Sequence, residues 1–237
     1  MYSPAYAGFR YKYVLTLILV ITNIIFFIAI DLNPNRYYEN LLIQNNSAIL
    51  NNGEWWRLFS AMWLHANPLH IADNMIGLLI FGITLESFAK KWQYLVIYLV
   101  SGLLGNVASL FLLGPGISSL GASGAIFGVL AAAYIICPFN KRGLAVAFFF
   151  VVYYILASMA PGVDTWAHLF GAVGGIIFGF IFTPKNQGTR RRFARGSKYG
   201  NTAPFYARCP RCGKVVEIHA KYCPSCDLPL EGMLDFD

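Results

Sequence analysis

The sequence predicts an all-α, polytopic membrane protein in which six transmembrane helices are followed by a small cysteine-rich module. Three observations carry that prediction. Of 237 residues, 57% are hydrophobic and 12% charged, and the mean hydropathy is +0.54, whereas soluble domains carry roughly 25% charged residues. The apolar residues gather into runs long enough to cross a bilayer, separated by polar connections. The basic residues concentrate in alternate connections, the pattern that orients helices across a membrane.

The first run, 13–30, is apolar but for Thr16, Thr22 and Asn23 and follows Arg10 and Lys12. Asp31-Leu32-Asn33-Pro34 comes next and offers no small-residue cleavage site, so the run reads as an uncleaved helix rather than a signal peptide. Residues 31–64 form a long connection with Tyr37, Tyr38, Trp55, Trp56 and Trp63 among asparagines. Tyrosine and tryptophan favour the headgroup layer, which places this loop in the interface. Further spans are expected at 69–85, 92–113, 122–139, 143–160 and 165–182.

The connections carry Lys90 and Lys91, then no charge over 114–120, then Lys141 and Arg142, then Asp164, then Lys185 with Arg190, Arg191, Arg192 and Arg195. The positive-inside rule then puts both termini in the cytoplasm and leaves Arg36 and Arg57 outside. The net charge of +7 is accordingly a topology signal, and nucleic acid is not an expected partner. Three segments follow: a membrane domain over 1–183, a basic flexible linker over 184–206 beside anionic headgroups, and a module over 207–237.

Within the fourth run, Gly121-Ala122-Ser123-Gly124-Ala125-Ile126-Phe127-Gly128 sets one hydroxyl among glycines. Small residues four apart let membrane helices approach closely, and on this octet alone packing is the better reading of Ser123. The other helices change the weighting. In the expected topology the second, fourth and sixth helices run inward, so His70 and Asn74, Ser123, and His168 lie in their outer first turns. At 1.5 Å per residue each sits less than about 10 Å below the outer boundary. Polar and ionisable groups are costly at that depth and usually mark a site.

Acyl transfer fits this set. Ser123 would be the nucleophile and His168 the base that takes its proton and later protonates the leaving amine. The Ser123 backbone N–H, His70 and Asn74 would be the oxyanion donors, with His70 and Asn74 four apart on one helix face. His65 is expected to brace the loop. Any single membrane histidine is as readily a hydrogen-bonded structural residue. Gly171 and Gly175, pressed against Gly124 and Gly128, would bring His168 within reach of Ser123. Asp164 reads as a helix N-cap, Asp73 as facing the wet cavity or the loop, Glu86 as an inner-side structural charge, and Cys137 as a small buried hydrophobe.

Taken in order, Trp56-Arg57, His65 with His70 and Asn74, Gly121-Ala122-Ser123-Gly124, and Ala167-His168 with Gly171 and Gly175 resemble the rhomboid family of intramembrane serine proteases, over about 13–182. The resemblance implies a rhomboid-like six-helix bundle, a Ser123–His168 dyad, oxyanion binding by His70, Asn74 and the Ser123 amide, and a loop fixed by Trp56-Arg57. Phe127 stands where family members often carry a tyrosine stacked on the histidine; the ring is kept and the hydroxyl lost. No third acid and no catalytic cofactor are implied. The expected activity is serine endopeptidase cleavage of transmembrane segments near the outer side of the bilayer. Substrates would carry helix-weakening residues, because an intact membrane helix ties up its own carbonyls. The alternative is a catalytically silent relative that binds membrane clients, against which the presence of both Ser123 and His168 speaks. A transporter fits less well, since the polar groups cluster on one side of the midplane. The compact form favours a prokaryotic plasma membrane.

Cys209-Pro210-Arg211-Cys212 and Cys223-Pro224-Ser225-Cys226 are two Cys-x-x-Cys pairs ten residues apart. They predict a four-cysteine zinc ribbon that depends on its metal for folding. Disulfides are the competing reading, but the charge pattern puts the tail in the reducing cytoplasm. His219 is then spare, and a closed four-thiolate site suits the binding of a cytosolic protein.

Overall fold

The computed structural model describes residues 13–137, 141–160, 162–183, 206–209, 211–217, 222–227 and 229. The linker expected over 184–206 lies outside these, save Tyr206, as do Arg10, Lys12 and His219. The chain divides into two units, Met1–Pro184 and Lys185–Asp237. In the first, helices α1 (Val14–Phe26), α2 (Tyr37–Leu42), α3 (Asn46–Asn52), α4 (Arg57–Ser60), α5 (Pro68–Gly77), α6 (Ile83–Glu86), α7 (Lys91–Leu113), α8 (Ser123–Ile136), α9 (Lys141–Ser158) and α10 (Thr165–Phe182) follow in order. Wide π-type turns extend α1 through Phe27–Asp31 and join α5 to α6 through Leu78–Gly82.

Among the described residues, four stretches are long and apolar enough to cross a membrane: Val14–Asp31, Pro68–Glu86, Lys91–Leu113 and Thr165–Phe182. Two expected spans are shorter apolar helices, Ser123–Ile136 and the stretch Gly143–Tyr154 within α9. The length of α8 matters for the site. Its 14 residues rise about 21 Å, roughly 9 Å less than the hydrocarbon thickness, and Ser123 is its first residue.

The shortness of α8 goes with its central place. Gly124 through Leu130, Ala132, Ala133 and Ile136 are buried, between α7 and α10. The small residues explain how three helices fit so closely. A Cβ on Gly171 would lie 2.1 Å from the Gly124 carbonyl oxygen, one on Gly175 2.0 Å from that of Gly128, and one on Gly105 2.4 Å from that of Ala167. Backbone meets backbone along these faces, where dispersion contacts drive association in an apolar solvent.

At the other end of the bundle, the Tyr13 side chain makes no capping bond to α1, so the helix's first N–H groups need partners from elsewhere. Glu86 provides them. It accepts from Leu15 N–H (3.0 Å), Thr16 N–H (2.9 Å) and the Thr16 hydroxyl (2.7 Å), adding a negative charge at the positive end of the helix dipole. The inner-side charge expected at Glu86 is thus a tertiary helix cap. Glu86→Ala strands these buried donors and is expected to destabilise the membrane unit by about 3 kcal/mol, read as a lowered unfolding midpoint in detergent; an unchanged midpoint would contradict the capping role.

The 31–64 connection is a folded element rather than a bare loop. Gln44–Asn45 (β1) pairs antiparallel with Ser118–Ser119 (β2). The Asn46 amide donates to the Gly114 carbonyl (2.8 Å), and the Gln44 amide to that of Asn106 (3.1 Å). The loop is therefore fastened to the C-terminal half of α7 and to the segment that leads into α8.

In the second unit, Tyr206–Arg208 (β3) pairs antiparallel with Val215–Glu217 (β4). The turn between them closes through Cys209 N–H to the Lys214 carbonyl (2.8 Å) and Gly213 N–H to that of Cys209 (2.9 Å).

Candidate active site and cysteine cluster

The approach to Ser123 is held from the interfacial loop. Arg57, buried, donates to the carbonyls of Asn40 (2.7 Å) and Ile43 (2.9 Å) and pairs with Glu54. Trp56 stays exposed and donates from Nε1 to the Leu41 carbonyl (3.3 Å). This frame places the Ala61 carbonyl where it accepts the Gly121 N–H at 3.0 Å. Gly121 has φ of +135°, a conformation that favours glycine. A Cβ there would stand 3.1 Å from the His70 imidazole and 3.5 Å from Ser123 Oγ, so His70 and Ser123 flank the same glycine.

His168 Nε2 lies 2.7 Å from Ser123 Oγ. The Phe127 ring, one turn into α8, stacks on the imidazole with centroids 4.5 Å apart and planes 14° from parallel. Asp164 accepts the Ala167 N–H at 2.9 Å and is the N-cap of α10; it also accepts the Ser109 hydroxyl of α7. Asp164 therefore acts on the α10 backbone that carries His168.

Three further groups were expected as oxyanion donors: His70, Asn74 and the Ser123 N–H. His70 Nδ1 accepts the Ala66 N–H at 3.4 Å, which leaves its proton on Nε2, an atom beside Gly121. Asn74, one helical turn on, is buried, and its Nδ2 has no partner among the described residues. The Ser123 N–H sits in the first turn of α8, where helices present unsatisfied donors. His65 lies behind them. Its backbone N–H donates to Asp31 at 2.7 Å and its ring meets that of His70 edge-on at 5.2 Å. Burial pushes the His65 pKa down, with the neighbouring His70 adding to the effect, so the ring is neutral.

Asp73 is engaged by α9. Its Oδ1 accepts the Tyr153 hydroxyl at 2.9 Å, and its backbone carbonyl accepts the Tyr154 hydroxyl at 3.1 Å. Sequence reasoning missed both tyrosines; the signal available was an adjacent pair of phenols inside an otherwise apolar run.

In the tail unit, the Sγ atoms of Cys209, Cys212, Cys223 and Cys226 all lie within 4.8 Å of one another. Cys209 and Cys226 are 3.6 Å apart, as are Cys212 and Cys223. A tetrahedron with metal–sulfur bonds of about 2.3 Å separates its sulfurs by about 3.8 Å, whereas a disulfide holds them at about 2.05 Å. The cluster fits a metal ion.

The rhomboid domain profile matches residues 52–185, more than half of the chain and the whole of the site in the membrane unit. Among similar proteins, RHOMBOID-like protein 6, mitochondrial, of Arabidopsis thaliana is 36% identical over 162 residues, covering 65% of this chain and 52% of that protein. RHOMBOID-like protein 2 of the same plant is 36% identical over 146 residues, 59% and 46% of the two chains. Rhomboid protease GluP of Bacillus subtilis (strain 168) is 28% identical over 169 residues, 68% and 33%. The chain belongs to the rhomboid family of multi-pass membrane proteins. It spans about half the length of the plant relatives it matches. With relatives in both a plant and a bacterium, kinship does not single out the prokaryotic plasma membrane expected from the sequence.

Proposed function

We propose that this protein is an intramembrane serine endopeptidase working through Ser123 and His168. The observation that carries the reading is the 2.7 Å contact between Ser123 Oγ and His168 Nε2, with the imidazole plane held by Phe127. For attack on a carbonyl carbon, Nε2 accepts the serine proton while a neutral His168 keeps its own on Nδ1. The oxyanion then forms beside the Ser123 N–H, the His70 Nε2–H and the unused Asn74 amide. Collapse expels the amine with the proton from His168, and water releases the acyl group from Ser123 by the same steps in reverse.

The short α8 supports access for water, since Ser123 begins a helix that does not fill the hydrocarbon thickness. The substrate is a transmembrane segment that unwinds locally to bare a carbonyl, which favours helix-weakening residues near the cut. In this reading α8 and α9 complete six spans, both termini are cytoplasmic, the membrane domain covers 1–183, and a basic linker over 184–206 leads to a zinc ribbon over 207–237. The ribbon, holding structural zinc through Cys209, Cys212, Cys223 and Cys226, recruits a cytosolic protein. The silent client-binding alternative gives no reason for the paired serine and histidine.

The test is covalent labelling by a fluorophosphonate, which reacts with activated serines and needs no known substrate. The protein in mild detergent should label, and Ser123→Ala and His168→Ala should not; absence of labelling in folded wild-type protein would favour the silent alternative. Asn74→Ala and His70→Ala are each expected to lower the cleavage rate by roughly 10²–10³ if each supplies one oxyanion donor. A wild-type rate in either variant would remove that residue from the site.

A further inference from the structure

We propose that Tyr154 of α9 is a positioning residue for the Ser123–His168 pair, acting through Phe127 and seated on α5 at Gly77 and Asp73; the proposal rests on the serine-protease reading above. Phe127 has no hydroxyl with which to anchor itself, so the ring that holds His168 is oriented by what packs on it. Its face lies on the imidazole at 4.5 Å, and the Tyr154 ring meets it at 5.5 Å and 69°, the edge-to-face arrangement aromatic pairs prefer.

Tyr154 is itself fixed at its far end. Its hydroxyl donates to the Asp73 carbonyl at 3.1 Å and lies in a notch that only a glycine leaves open, since a Cβ on Gly77 would stand 2.1 Å from the phenol oxygen and 3.0 Å from the carbon bearing it. One residue earlier, the Tyr153 hydroxyl binds the Asp73 carboxylate at 2.9 Å, a second hook from α9 to the same turn of α5. Tyr154 is 5% exposed whereas Tyr153 is 42% exposed, so Tyr154 is the one that transmits position inward and Tyr153 the one that holds the helix. A continuous line of contacts thus runs from the α5 notch through Tyr154 and Phe127 to the imidazole. Asp73, an acid in an apolar helix, is accounted for as the seat of this line.

The chemistry is sensitive to this geometry because proton transfer from Ser123 requires Nε2 to stay within hydrogen-bond reach of Oγ, and an ångström of misplacement costs up to about 10²-fold in rate. A residue that merely packs α9 would change stability without changing the limiting rate of the folded enzyme.

The experiment measures the fluorophosphonate acylation rate of the full chain in mild detergent, at increasing probe, for wild type, Tyr154→Ala, Tyr154→Phe, Phe127→Ala and the double alanine variant. Tyr154→Ala should lower the limiting rate about 10- to 100-fold with probe affinity little changed. Tyr154→Phe, which keeps the ring edge but loses the bond to the Asp73 carbonyl, should fall between wild type and Tyr154→Ala. In the Phe127→Ala background, adding Tyr154→Ala should cost less than about twofold, because residues acting through one another are not additive. A wild-type limiting rate for Tyr154→Ala, or the same fold-loss with and without the Phe127 ring, overturns the proposal. If Tyr154→Ala does not fold, Gly77→Ala replaces it: the added methyl displaces the phenol with every aromatic ring retained, and an undiminished rate there overturns the proposal equally. Wild-type protein that does not label overturns the serine-protease reading and the positioning role together, whereas labelling that Ser123→Ala removes keeps that reading whatever the cycle shows.

Discussion

Ser123→Ala and His168→Ala are each expected to reduce cleavage of a transmembrane substrate by about 10⁴- to 10⁶-fold, and the double variant to be no slower than either single one. The expectation follows from the division of labour at the 2.7 Å contact. An unassisted serine hydroxyl is a weak nucleophile, and an imidazole without the serine has no proton to move, so removing one partner makes the other irrelevant. In the proposed mechanism, what remains would come from the oxyanion donors, which would act on any attacking water. The measurement is single-turnover cleavage of a helix carrying a Gly-containing stretch, for the three variants beside wild type. Losses that multiply in the double variant would mean that Ser123 and His168 act separately, which the dyad cannot accommodate.

The meeting of Ser123 and His168 was legible because two kinds of sequence information converge on it. Hydropathy and charge give each polar residue a depth, and spacing of four between small residues gives two helix faces that fit together. Gly124 and Gly128 against Gly171 and Gly175 therefore bring two particular turns into register. The four-cysteine cluster was legible for a simpler reason, since each knuckle is local. What escaped were partners set by the rotation of one helix about its axis relative to another. Glu86 capping α1 joins residues 71 apart, and Asp73 with Tyr153 joins residues 80 apart. A lone acid in an apolar run announces that it needs a partner, not which one. The fold of the 31–64 segment was hidden similarly, because the amides of Gln44 and Asn46 bind main-chain carbonyls, which every residue possesses. The length of α8 lay beyond hydropathy too, since the apolar run continues past the point where the helix ends at Ile136.

Removing zinc is expected to unfold the tail unit completely while leaving fluorophosphonate labelling of Ser123 intact. Strands β3 and β4 are three residues each, far too little surface to offset the entropy of ordering the chain, and Cys209, Val216 and Cys223 are its buried apolar positions among the described residues. In the proposed ribbon, bonds from four sulfurs to one ion would supply what a hydrophobic core does in a larger domain. The Cys212 backbone N–H, directed at the Cys209 sulfur, lowers that thiol's pKa to about 6, which favours its thiolate. Protein purified under reducing conditions should contain one zinc per chain by elemental analysis. A chelator should render the segment around 206–229 sensitive to trypsin, and Cys223→Ser should do so without chelator. Zinc absent from protein with four titratable tail thiols, or a trypsin pattern indifferent to the chelator, would overturn the ribbon. Labelling that falls on chelation would instead show that the tail acts on the membrane unit, since a closed tetrahedron of thiolates has no open position at which to take part in peptide hydrolysis itself.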